Sequence, residues 1–182
     1  MSETTIRRRL RAGRWGRVYP GVFLHGGAPV TWKQEATAAY LWAGDDSALC
    51  GRTAAAWWGI GGFAPALPIE VVMRYHRKPP TPDIVVRQTS CLGPGDVEMH
   101  GPVAVTSIVR TLFDLCAECP MPRVRAAISD ALRQGLTNFP SMWKCLDVLA
   151  ASGRNGTRLF RHLLATMDEG AGVTESMLEC AC

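Results

Sequence analysis

Arg7-Arg8-Arg9-Leu10-Arg11-Ala12-Gly13-Arg14-Trp15-Gly16-Arg17-Val18-Tyr19-Pro20-Gly21-Val22-Phe23 reads as two structural periods joined at a glycine. Before Gly13 the period is helical. With Ser2 as its cap and Glu3 in the positive first turn, Ile6 and Leu10 fall one above the other, while Arg7, Arg8 and Arg11 cluster on another face. Gly13 suits the end of such a helix, because a left-handed residue there carries no Cβ penalty. Beyond it, Trp15 and Val18, then Val22 and Phe23, fit two short strands around Pro20-Gly21. Six arginines (Arg7, Arg8, Arg9, Arg11, Arg14, Arg17) fall within eleven residues, with Glu3 the only acid nearby.

Helix, hairpin and arginines on both have the form of the recognition helix and wing of a winged helix-turn-helix. A terminal charge run also reads as a solvated face or a disordered tail. The packing spacings of Ile6, Leu10, Trp15, Val18, Val22 and Phe23 favour order. A dense cationic segment of this kind predicts contact with double-stranded DNA, because guanidinium groups grip phosphate oxygens in pairs and read guanine O6 and N7. Arg7, Arg8 and Arg11 are assigned to the groove or its edges, and Arg14 and Arg17, on the wing, to phosphates. Trp15 is assigned to the core rather than to a base-stacking platform.

The chain of 182 residues is long enough for a proper core, and 47% apolar content excludes disorder over most of it. The net charge is only +4, so with six arginines in the first 17 residues the remainder is close to neutral. The basic character is local, as suits a contact surface. No apolar run reaches the 18 to 20 or so residues that span a bilayer, and no signal-peptide h-region follows the first arginines; a cytoplasmic, non-membrane protein is expected. Seven cysteines (Cys50, Cys91, Cys116, Cys119, Cys145, Cys180, Cys182) are accordingly expected as thiols.

The expected fold class is α+β: a partial winged helix over 1–30, a small antiparallel sheet packed with helices within a mixed domain over 31–170, and a helical second half. Thr31-Trp32-Lys33-Gln34 has the form of a capping box opening a helix that Gly44 ends, with Trp32, Ala36, Ala39, Tyr40 and Ala43 as its buried stripe. Asp45-Asp46 reads as a turn, and Arg52 to Trp58 as a second helix, with Trp57-Trp58 in the core. Pro68 to Met73, Ile84 to Arg87, Asp96 to His100 and Val103 to Thr106 read as four successive strands, and their short connections predict antiparallel pairing. Helices are predicted around Ile108 to Leu115, Val124 to Leu132, Met142 to Leu149 and Leu159 to Met167. A break at Gly170-Ala171-Gly172 and a new helix start at Thr174 are expected after them, so that 171–182 reads as the truncated opening of a further domain.

Leu10–Phe23 (LRAGRWGRVYPGVF), Arg52–Ile60 (RTAAAWWGI), Val103–Leu115 (VAVTSIVRTLFDL), Ile128–Thr137 (ISDALRQGLT) and Val173–Glu179 (VTESMLE) carry a resemblance. Their order is similar to a bacterial family with an AbiEi-type antitoxin region in front of a very-short-patch-repair-like endonuclease domain. The resemblance implies a non-enzymatic transcriptional repressor of a type IV toxin-antitoxin system, bound to double-stranded DNA at a toxin gene promoter, with a homo-oligomer as the form in which another chain would complete the DNA-reading unit. It departs from that family in two places. Two helices expected before the Arg7–Arg11 helix are missing, and the later Asp and Glu-x-Asp-Gly carboxylates of the nuclease do not follow Glu175. The alternative it implies is therefore a truncated, inactive relative of the endonuclease.

A second basic set, Arg74, His76, Arg77 and Lys78, reads either as a solubilising loop or as a secondary phosphate contact through Arg74, Arg77 and Lys78. Arg154, Arg158 and Arg161 form a helical stripe that a solvated face explains. Cys116-Ala117-Glu118-Cys119 is a CxxC lacking the second pair a zinc site needs, and reads as buried thiols. With no GxSxG elbow, no P-loop and four scattered histidines (His25, His76, His100, His162), no catalytic residue, metal or cofactor is assigned.

Overall fold

The computed structural model of the chain describes residues 2–27, 29–74, 81–90, 92–150 and 154–179. The fold is α+β, with seven α-helices and seven strands among the described residues. α1 (Glu3–Arg11) leads into a hairpin of β1 (Trp15–Tyr19) and β2 (Val22–His25), which forms a two-stranded sheet of its own. The helix ends as its sequence predicts. Gly13 takes φ +65°, its N–H donates to the Leu10 carbonyl, and the Arg14 N–H donates back to the Arg9 carbonyl, the paired bonds of a Schellman end. Ser2 occupies the cap position, but its hydroxyl pairs with that of Thr5 rather than with the helix backbone.

α2 (Trp32–Ala43) begins on the expected capping box. Thr31 Oγ1 accepts from the Gln34 N–H, Gln34 Oε1 accepts from the Thr31 N–H, and Gly44 ends the helix at φ +99°. A cap of this kind stabilises a helix by about 1 kcal/mol. Ala36, Ala39 and Tyr40 are buried as the stripe predicts, and Ala38 and Trp42 join them.

The large sheet corrects the antiparallel expectation. Its order is β5-β4-β3-β7-β6, built from β3 (Ser47–Leu49), β4 (Ile69–Met73), β5 (Ile84–Gln88), β6 (Val97–His100) and β7 (Val103–Thr106). β4 runs antiparallel to β3, and β6 to β7; β4 with β5, and β3 with β7, are parallel. The sheet is therefore mixed. Its central strand, β3, follows the Asp45-Asp46 turn and was not anticipated. Three residues buried throughout show no alternation, so period-2 reading has nothing to detect.

α3 (Gly51–Trp57) starts at the end of β3 and is tied to β4 by reciprocal bonds. The Arg52 N–H donates to Glu70 Oε2, and the Glu70 N–H donates to Thr53 Oγ1. Gly51 sits at φ +54°, where a Cβ would collide with the Glu70 carboxylate. α4 (Ile108–Leu115), α5 (Met121–Arg133), α6 (Phe139–Leu149) and α7 (Thr157–Glu179) make up the second half.

The apolar residues form two clusters. One joins Tyr19 and Val22 of the hairpin to α2 and the sheet; the other gathers α4 to α7 around Leu112, Ile128, Met142 and Phe160. Trp58 packs against both, its Nε1–H donating 2.9 Å to the Thr106 carbonyl and its ring lying edge-on to His100. The expected break at Gly170-Ala171-Gly172 is replaced by continuous helix from Thr157 to Glu179. Each glycine costs a helix about 1 kcal/mol relative to alanine, which weakens it without forcing an end.

Candidate nucleic-acid interface

The register of the hairpin decides which of its side chains share a face. Trp15 pairs with His25 and Arg17 with Phe23, so these four stand on one side, while Tyr19 and Val22, beyond a register shift, turn into the core. Trp15 and Phe23 stack, with ring centroids 5.9 Å apart and planes inclined by 27°. Guanidinium groups lie over both rings: Arg9 Cζ is 4.6 Å from the Trp15 centroid and Arg17 Cζ 5.8 Å from that of Phe23. The indole is thus engaged by Phe23 and Arg9, but it is half-buried and stands outside both apolar clusters rather than in the core. α1 meets the hairpin through β1 and buries none of its own residues.

The arginines divide by what they touch. Arg7 Nη2 donates 2.6 Å to Glu3 Oε1, one helical turn earlier, with both side chains largely in solvent. Arg9 is half-buried against Trp15, and the other five are exposed. Arg7, Arg8 and Arg11 line one groove of about 490 Å³ with Glu3, Thr4 and Ala12; Arg8, Arg9 and Arg14 line a second, of about 450 Å³, with Ala12. Arg8 and Ala12 belong to both. Arg7, Arg8, Arg11 and Arg14 are therefore brought together around two adjoining grooves, with Arg17 exposed on the hairpin that follows.

Arg74 is exposed at the end of β4, donates 2.9 Å to the Leu92 carbonyl, and lines a different groove with Asp45 and Asp46. It is not gathered with the N-terminal arginines. His76, Arg77 and Lys78 lie outside the described residues.

Two further arginines are held by carboxylates away from the N-terminal grooves, Arg110 buried and Arg87 half-buried; only the Arg110–Asp114 pair, four residues apart, has a spacing that the sequence displays. Arg110, 4% exposed, bonds Asp114 through Nε at 2.9 Å and Asp96 through Nη1 at 3.1 Å. Arg87 bonds Glu70 at 3.1 Å and Glu118 at 2.7 Å, joining β4 and β5 to the turn that follows α4. Burial pushes the Asp114 and Glu118 carboxyls above their ordinary range, against the opposing pull of Arg110 and Arg87 respectively. Cys116 and Cys119 of the CxxC are both buried, and burial pushes the Cys116 thiol up to about 12.

Two features of the site escaped sequence reasoning. Glu3 and Arg7 stand four apart, the spacing of a helical ion pair, so that contact was open to detection. The placement of Arg9 on Trp15 had no such signal, because it depends on how the glycine turn folds the helix over the hairpin. No known protein family, curated protein or solved structure matches the chain. No helix among the described residues is long and apolar enough to cross a membrane.

Proposed function

We propose that this protein is a DNA-binding transcriptional regulator of AbiEi antitoxin type, acting without catalysis at a promoter such as that of a toxin gene. The observation that supports it is the gathering of Arg7, Arg8 and Arg11, on a helix that buries none of its own residues, with Arg14 of the following turn, around two adjoining grooves that share Arg8. A nine-residue helix without buried side chains adds little to the core. Its cations are presented to a polyanion instead. Arg17, on the hairpin, extends the same positive surface as a wing would.

The test is titration of duplex DNA from the protein's own locus over a range of salt. With about four to six phosphates neutralised, log K falls against log salt with a slope of roughly −4 to −5. Tight binding independent of salt would sink the reading. So would a combined substitution of Arg7, Arg8, Arg11 and Arg14 by alanine that leaves both fold and affinity unchanged.

A further inference from the structure

We propose that Arg9 is a positioning residue rather than a DNA contact: by lying on Trp15 it sets the angle of α1 against the hairpin, and so aligns Arg8, Arg11 and Arg14 as one surface. The proposal rests on the DNA-binding reading above and divides the labour among its arginines. Three observations carry it. Arg9 is the one arginine of the six that is not exposed, with its guanidinium carbon 4.6 Å from the indole centroid. The indole is itself fixed, stacked on Phe23 across the hairpin, whose Val22 and Tyr19 anchor in the core. And α1 has no fully buried residue, its apolar Ile6 and Leu10 being only half-buried, so that the indole contact adds a directed hold to a lightly anchored helix.

The backbone reinforces the contact. The Schellman end runs from the Arg9 carbonyl to the Arg14 N–H, and the Gly26 N–H donates 2.6 Å to the Arg14 carbonyl. The turn that carries Arg14 is thus bonded to α1 on one side and to the chain leaving β2 on the other. A Cβ on Gly26 would collide with the Gly13 carbonyl, so the two glycines let these segments meet. Backbone bonds of this kind fix where α1 ends. The Arg9 side chain, one turn back from that end, fixes where the helix points.

A planar cation on an indole face gains from the ring quadrupole whether or not DNA is present. Its role is therefore separable from phosphate contact by experiment. In the free protein the Arg9 side-chain methylene resonances are shifted upfield by the indole ring current, and Trp15→Leu abolishes the shift. On a short random-sequence duplex, Arg9→Ala lowers affinity by roughly two- to fivefold with the salt slope unchanged. Arg8→Ala instead reduces the slope by about one, as loss of a phosphate contact must. In a Trp15→Leu background, Arg9→Ala has no further effect, since the two act as one unit.

Absence of the ring-current shift overturns the proposal, as does a slope that drops by about one in Arg9→Ala, which would make Arg9 an ordinary phosphate ligand. If the wild-type chain fails to bind duplex DNA at all, the functional reading falls and the DNA role of Arg9 with it. The ring-current shift then still reports whether Arg9 holds the helix to the hairpin.

Discussion

Arg17 stands opposite Phe23 across the hairpin, with its guanidinium carbon 5.8 Å from the ring centre. It covers an aromatic face while keeping its charge in solvent, whereas Arg14 projects from the glycine turn. Arg14→Ala is therefore expected to weaken all duplex sequences alike and to lower the salt slope by about one, with thermal stability unchanged. Arg17→Ala should do the same and also loosen the hairpin by about 0.5 kcal/mol, through the lost cation–π contact. Salt titrations beside thermal melts separate the two variants. An Arg17→Ala protein with full affinity would remove the hairpin from the interface.

Arg110 is buried between two carboxylates, and truncating it leaves Asp96 and Asp114 facing each other without their cation. Arg110→Ala should destabilise the fold by about 3 to 5 kcal/mol, most of it the cost of uncompensated buried charge. Urea denaturation measures this directly. The paired change of Arg110→Met with Asp114→Leu should recover part of the loss, and recovery of none would place the role of the cluster in packing alone.

Asp114 and Glu118 have folded pKa values raised by burial above the ordinary 3.8 and 4.5. The folded state then holds these two protons to higher pH than the unfolded chain does. Their contribution to stability is greatest in acid and declines as pH rises through the folded values. Glu118→Gln removes one such group, so the variant should gain on the wild type as pH rises from about 4.5 toward neutrality. Denaturation curves across that range are the check. A variant that loses ground over the same interval would contradict the assignment.

Cys50 and Cys116 are buried, and burial pushes both thiols up, Cys50 well above its usual range and Cys116 to about 12. Cys145, half-buried, rises to about 11. Thiolate is the reactive form, so a disulfide reagent at neutral pH should leave these three largely unmodified in the folded protein and label them fully in denaturant. Site-resolved mass spectrometry distinguishes the cases. Rapid labelling of Cys50 in the fold would mean that the β3–α3 corner opens.

Local rules made part of this protein legible from its sequence. The capping box at Thr31, the helix ends at Gly13 and Gly44, and the hairpin around Pro20-Gly21 each depend on residues within a few positions of one another. So does the density of arginine that marks the candidate site. Pairing between distant segments was decided only by the tertiary structure. β3 is three buried residues without a period of its own, and its parallel pairing with β7, together with that of β4 with β5, makes the sheet mixed where an antiparallel one was expected. The same holds for charge. Arg8 and Arg9 are neighbours of one chemistry, yet one lines both grooves in solvent and the other lies half-buried on Trp15; Arg87 finds Glu118 31 residues away. A guanidinium carries the same charge wherever it stands in the sequence, and what it does with that charge depends on the groups the folded chain brings against it.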